Sequence, residues 1–335
     1  MSSVTGSSRT PFLERVAGAP ISWGVSEVAG WGHQLTPDTV LSSMRELGLT
    51  ATEFGPDGFL PSEPTERTDT LERQGLRAVG QFVPVVLHDP EVDPLPVVED
   101  AMTALAVAGA GTVVIAATTG AEGYDVRPVL GDSEWSTLLA NLDLIEAAAE
   151  ARGLVAALHP HVGTMIETAE EVDRVLAESR IGLCLDTGHL LIGGSDPVAL
   201  AREHSERIVH VHLKDVRGDA AARVRAGGLT YTDAVADGMY VPLGAGDVDV
   251  AAIVGSLESA GYAGWYVLEQ DTILAGPPSQ TGIDPAADVR ASLTFLRTLA
   301  ERPDITQLDA SGPSPTVQLG EIGTGQGDEV RGSDG

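Results

Sequence analysis

The chain has 335 residues, 43% of them hydrophobic, which is enough to bury a substantial core and too apolar for a disordered or fibrous protein. Its 49 acidic against 20 basic residues give a formal net charge of −29 at pH 7, which repels phosphate backbones and anionic lipid and argues against nucleic acid or a membrane surface as a partner. The single cysteine, Cys184, cannot form an intrachain disulfide, and the apolar run 181–185 around it predicts a buried, inert thiol suited to a reducing cytoplasm.

Residues 1–17 lack the basic start, apolar stretch and cleavage site of a secretory leader, and no later segment is long enough to span a bilayer. The expectation is a cytoplasmic chain with a flexible N-terminus. Short runs rich in Val, Ile and Leu then alternate with longer segments of helical periodicity. In chain order the runs predict strands at 19–23, 51–55, 77–83, 112–116, 155–161, 181–187, 208–214 and 265–270. Helical spacing appears between and after them, for example at 39–47, 96–108, 135–152, 170–178, 250–260 and 286–300, and Gly48 and Gly153 stand where helix C-termini favour glycine. Eight βα units over 18–302 predict an α/β fold, a single-domain (β/α)8 TIM barrel, with a doubly wound open sheet as the alternative. The stretch 303–335, rich in Gly, Ser, Pro and Asp, reads as a disordered acidic tail. No glycine-rich dinucleotide fingerprint follows the first run, where the chain reads SWGVSEVAGWG, and no phosphate-binding loop is present.

In a barrel of this kind the chemistry sits at the C-terminal ends of the strands. Here polar residues fall at those ends repeatedly: Glu53 at the second run, His159 and His161 at the fifth, Asp186 and His189 at the sixth, His210, His212, Lys214 and Asp215 at the seventh, and Glu269 with Asp271 at the eighth. A ring of buried carboxylates and imidazoles is costly unless a cation or a hydrogen-bond network compensates it. Mixed oxygen and nitrogen donors suit Mn, Co, Mg or Zn. Residues two apart on a strand share a face, so His159 and His161 are expected to enter the barrel mouth together, and Lys214 to share the inward face of His212 while Asp215 points away. Trp23 is open to two readings, an indole wall for a polyol beside Glu53 or a core residue. The segment 218–240 is long and contains Gly227-Gly228, which predicts a lid or substrate loop.

The ordered motifs HPHVGT, LCLDTGH, VHLKDVR and VLEQD, with an opening PISW strand and the segment GLTATEFG, resemble the xylose-isomerase-like TIM-barrel family of sugar isomerases, epimerases and dehydratases, from about Ala19 to Leu299. The resemblance implies a divalent metal, Mn or Co ahead of Mg or Zn, held by Asp186, His212 and Glu269. Many relatives carry a glutamate as fourth ligand where this chain has His159. It further implies substrate contacts from His189, with Glu53, Trp23 and Arg217 as further candidates, and proton transfer by His161 or His159, Glu269 and Lys214. The expected substrate is a small polyol or keto-sugar, and the expected state a homo-oligomer. The implied activity is that of a carbon–oxygen lyase removing water from a keto-inositol through an enediolate. A sugar or hydroxypyruvate isomerase or epimerase shares the first half of that reaction, and a non-catalytic barrel would be expected to have lost the ligand positions. An endonuclease is disfavoured by the acidic charge.

Overall fold

A computed structural model describes residues 10–303 and Ile305. The strands are β1 (Val16–Gly18), β2 (Ala51–Thr52), β3 (Arg77–Ala78), β4 (Gly80–Val86), β5 (Thr112–Thr118), β6 (Val155–Leu158), β7 (Gly182–Asp186), β8 (Ile208–Leu213), β9 (Asp215–Val216), β10 (Tyr240–Val241) and β11 (Tyr266–Leu268). Nine of them form one sheet in the order β3-β2-β1-β11-β8-β7-β6-β5-β4. Every pairing in this sheet is parallel. Its two ends, β3 and β4, are separated in the chain by Val79 alone. They are one interrupted strand that pairs with β2 on one side and β5 on the other, so the sheet closes into an eight-membered barrel. Helices cover the outside, as an all-parallel sheet requires to bury both faces.

The two faces are filled differently. Along β5 the outward residues Val113, Ile115 and Ala117 join the main core against the helices, whereas Val114 packs inward with Ala157 and Cys184. A second inner group comprises Ala17, Ala19, Ala51, Val79 and Val267. These small side chains leave the interior room for the imidazoles and carboxylates above them. Cys184 is fully buried among them, and burial raises its thiol to about 11, consistent with an inert group.

The strand limits differ from the sequence reading, most of all at the N-terminus. The first strand is β1, not 19–23; Pro20 and the residues after it form a 3-10 turn, Pro20–Trp23, ended by Gly24 in the left-handed region. The N-terminal segment is correspondingly folded from residue 10 rather than flexible through 17. Phe12 is fully buried and packs edge-on against Tyr266 with ring centroids 5.0 Å apart. Of the expected tail 303–335, Pro303 and Ile305 are described, Ile305 being fully buried in the core, and the rest lies outside the described residues. No helix among the described residues is long and apolar enough to cross a membrane.

Arg15 locks this corner. Its Nη2 donates to both oxygens of Glu258 at 2.7 and 2.8 Å, and its Nη1 donates to the carbonyls of Tyr262 and Gly264. Tyr266 Oη donates to the same carboxylate at 2.7 Å. Removing one partner of a buried ion pair leaves the other charge uncompensated, which costs about 3–5 kcal/mol. Arg15→Met is therefore expected to lower the unfolding free energy by about 3 kcal/mol or more, read as a fall in the urea midpoint at unchanged slope.

Candidate active site

The polar residues predicted at the strand ends converge at one mouth of the barrel. Asp186 ends β7 and is the N-cap of the helix Thr187–Gly193. One oxygen, Oδ1, accepts from the amides of Gly188 at 3.0 Å and His189 at 2.8 Å, while Oδ2 faces the mouth beside His159 and Lys214. Gly188 is required by space, since a Cβ there would lie 2.8 Å from Lys214 Cβ and 2.9 Å from Tyr240 Cε1. Thus the DTGH motif folds as strand, cap and tight helix start because one carboxylate serves two purposes.

His212 on β8 completes the group. Its Nε2 donates to Glu53 Oε1 at 3.1 Å, and that oxygen also accepts from His210 Nε2 at 2.8 Å. With Nε2 turned to Glu53, Nδ1 is the nitrogen left to meet a cation; it is buried and makes no hydrogen bond. It lies 3.1 Å from Glu269 Oε2 and 3.6 Å from Asp186 Oδ2. Ligand atoms from Asp186, His212 and Glu269 all fall within 4.8 Å of one another. Two carboxylates and an orphaned imidazole nitrogen fit a divalent cation, and the Glu53–His212 pair is the usual support for a metal-bound histidine. Burial favours a protonated Glu53, but His212 and His210 facing it hold the carboxyl below its ordinary range.

His159 stands beside this group, its Nε2 3.1 Å from Asp186 Oδ2 and its buried Nδ1 without a partner. His161 is buried too, and both rings line the cavity at the barrel mouth. His161 Nδ1 donates to the carbonyl of Val162 at 2.7 Å, so Nε2 is the nitrogen able to accept a proton. Burial, then the nearby His159 and Lys214, depress its basicity well below the usual value and keep it neutral. The turn carrying it needs Gly163, which has φ of +77° and lies so close to Tyr124 that a Cβ would sit 2.1 Å from the Tyr124 carbonyl oxygen. His189 stacks on His161 with centroids 3.7 Å apart.

Lys214 shares the inward face with His212, as the alternation predicts. Its Nζ donates to Asp271 Oδ1 at 2.7 Å and lies 3.1 Å from Glu269, 3.4 Å from Asp186 and 3.0 Å from His189 Nε2. Burial opposes its charge, but the carboxylates of Asp186, Asp271 and Glu269 outweigh it and raise the ammonium well above its usual range. Asp215 points away and accepts from the amides of Val216, Gly244, Gly246 and Val248, a purely architectural role.

Two candidate residues are placed elsewhere. Trp23 is 2% exposed in the core, does not line the cavity and donates from Nε1 to Ser43 Oγ at 3.0 Å. Arg217 is exposed outside the cavity, because the chain turns at β9 and carries it away. Conversely, Tyr124, Tyr231 and Trp31, which no sequence motif marks, line the cavity, as does the strand-end residue Asp271. Asp271 was legible as the residue two beyond Glu269, and His210 as the residue two before His212; nothing local marks the aromatics. Tyr231 comes from the segment 218–240, which folds into helices Gly218–Arg225 and Tyr231–Ala236 and the strand β10 rather than a plain loop. Its amide neighbour Thr232 donates to Asp125 Oδ1 at 2.9 Å, fastening this segment to the one after β5.

Comparison with known proteins follows this geometry. A family model described as xylose isomerase-like TIM barrel matches residues 38–299. The chain is 37% identical to the rhizopine catabolism protein MocC of Rhizobium meliloti, covering 77% of this chain and 81% of that protein. It is 34% identical to inosose dehydratase of Geobacillus kaustophilus, covering 80% and 90%. Among solved structures, the IOLI protein with a bound zinc atom superposes with a TM-score of 0.63 at 14% identity, covering 85% of this chain and 97% of that one. L-ribulose 3-epimerase gives a TM-score of 0.60 at 16% identity, covering 88% and 96%.

The support role of Glu53 is testable apart from catalysis. Loss of such an outer carboxylate weakens metal binding about 10–100-fold. Glu53→Gln is expected to show that weakening in competition against a chromophoric chelator, whereas His212→Ala should retain no stoichiometric metal by elemental analysis.

Proposed function

We propose that this chain, which belongs to the xylose isomerase-like TIM barrel family, is a divalent-metal-dependent carbon–oxygen lyase that removes water from a keto-inositol. One arrangement carries the reading: Asp186, Glu269 and the unpartnered His212 Nδ1 converge beside a polar cavity that also holds a neutral imidazole and a buried ammonium. Proton abstraction next to a ketone needs those parts. The identity to inosose dehydratases, at 30–34% for several of them, selects elimination as the outcome.

Asp186, His212 and Glu269 would hold the ion, with His159 as the proposed fourth ligand. The metal, Mn or Co in preference to Mg or Zn, would supply Lewis acidity to a ketone oxygen and its neighbouring hydroxyl, which lowers the cost of the charge left by deprotonation. Every other task falls to side chains. Glu53 and His210 fix the tautomer of His212 and its orientation. His161 accepts the proton on Nε2, and its neutral state at pH 7 keeps that site open. Lys214, held by Asp271, presents a fixed positive charge to the developing enediolate. His189, stacked on His161, and the cavity face of Glu53 are the proposed contacts for substrate hydroxyls. The single buried thiol suits a cytoplasmic enzyme.

The deciding measurement is proton NMR of scyllo-inosose in deuterium oxide with chelator-stripped enzyme, with and without Mn. Metal-dependent loss of the ketone with formation of its dehydrated dione is expected. Exchange beside the ketone without elimination would replace the lyase reading with an epimerase or isomerase. His161→Ala should reduce both exchange and elimination by about 10²–10⁴-fold, the contribution typical of a positioned base.

A further inference from the structure

Removing the proton is half of a dehydration; the hydroxyl must also leave as water, and it needs a proton donor. We propose that Tyr231, delivered by the segment that covers the barrel mouth, is that donor, an inference that rests on the dehydratase reading. Its phenol is 2% exposed and lines the same cavity as His159, His161, Lys214 and Glu269. The ring lies 6.0 Å from that of His161, centroid to centroid, at an interplanar angle of 67°. The two side chains therefore border the same part of the cavity, where one substrate can meet the imidazole at its acidic carbon and the phenol at its leaving hydroxyl.

The hydroxyl hydrogen of Tyr231 is oriented by its surroundings. Tyr231 Oη donates to Asp271 Oδ2, whose other oxygen accepts from Lys214 Nζ at 2.7 Å. Tyr240 Oη lies 3.1 Å away on the other side. Tyr231 is thus one end of a chain, phenol to carboxylate to ammonium, that reaches the residues proposed to hold the metal. Lys214 stands at the inner end of the chain with its donors turned to Asp271, Glu269 and Asp186. Three carboxylates hold that ammonium in place, which makes it a charge stabiliser, whereas the phenol lines the cavity and its single hydrogen, resting on Asp271, can rotate about the C–O bond to a leaving hydroxyl.

The step balances. His161 removes the proton from the carbon beside the ketone, and the electron pair left there resides in the enolate. The enolate then reforms the carbonyl as its electrons make the new carbon–carbon double bond. The β carbon–oxygen bond breaks with its electrons on oxygen, and the Tyr231 proton converts the departing hydroxide to water. The proton held by His161 returns to the phenolate, and no oxidant or reductant is consumed.

This assignment predicts that the two halves of the reaction separate in one variant. With the Mn-loaded enzyme and scyllo-inosose in deuterium oxide, Tyr231→Phe should slow dione formation by about 100-fold or more. Deuterium incorporation beside the ketone should continue within a few fold of the unaltered enzyme. Metal content, measured on the same samples, should match the unaltered enzyme, and the thermal midpoint should fall by only a few degrees, about what one lost hydrogen bond to a buried carboxylate costs while the ring is retained. Equal dehydration by both proteins would overturn the assignment, and so would a parallel fall of exchange and dehydration, which would make Tyr231 a positioning or packing residue. An unaltered enzyme that exchanges or ignores the ketone without dehydrating it would overturn the lyase reading itself, and this inference with it.

Discussion

Four carboxylates, those of Glu53, Asp186, Glu269 and Asp271, are buried at one end of the barrel, each 9% exposed or less. An unpaired ion in such a place costs several kcal/mol, so every neighbouring feature can be understood as compensation. Glu53 is met by two imidazoles, Asp186 by the first amides of a helix, Asp271 by an ammonium and a phenol. Glu269 faces Lys214 and His212. Asp186, Glu269 and His212 still bring two carboxylate oxygens and a ring nitrogen within 4.8 Å of one another, a donor set suited to a cation.

The closed parallel sheet makes that concentration possible. Because all the strands run the same way, their C-terminal ends share one rim, and short polar stretches far apart in the chain arrive there together. The interior below the rim is packed with alanine, valine and cysteine. Larger residues there would fill the space that His210, His212 and Glu53 occupy. The same uniform direction exposes the opposite corner to loosening, and the Arg15–Glu258 pair with its carbonyl acceptors holds the first strand against the last.

Two tasks are divided between two kinds of structure. Residues that hold charge and position, Asp186, His212, Lys214 and Glu269, sit at or next to strand ends, where the sheet fixes the backbone. Residues that enclose the cavity, Tyr124, Tyr231 and Trp31, come from connecting segments and are tied to one another and to the rim by side-chain contacts. Strand ends supply precision; connecting segments supply shape and seal out water.

The amino-acid sequence alone determined the barrel, its order of βα units and the placement of Asp186, His212, Lys214 and Glu269 on inward positions. Those features follow from local rules: apolar runs make strands, alternation assigns faces, and parallel strands deliver their ends to one rim. The tertiary structure decided what depends on separation across the chain. Trp23 looked equally suited to a substrate wall, and only packing against Ser43 assigns it to the core. The first strand proved to be Val16–Gly18 because its partners, 250 positions away at Val16↔Tyr266, are invisible to any local pattern. That Tyr231 meets Asp271 could not be read from a segment without periodicity, since the contact spans 40 residues and is set by how two connecting segments fold over the mouth.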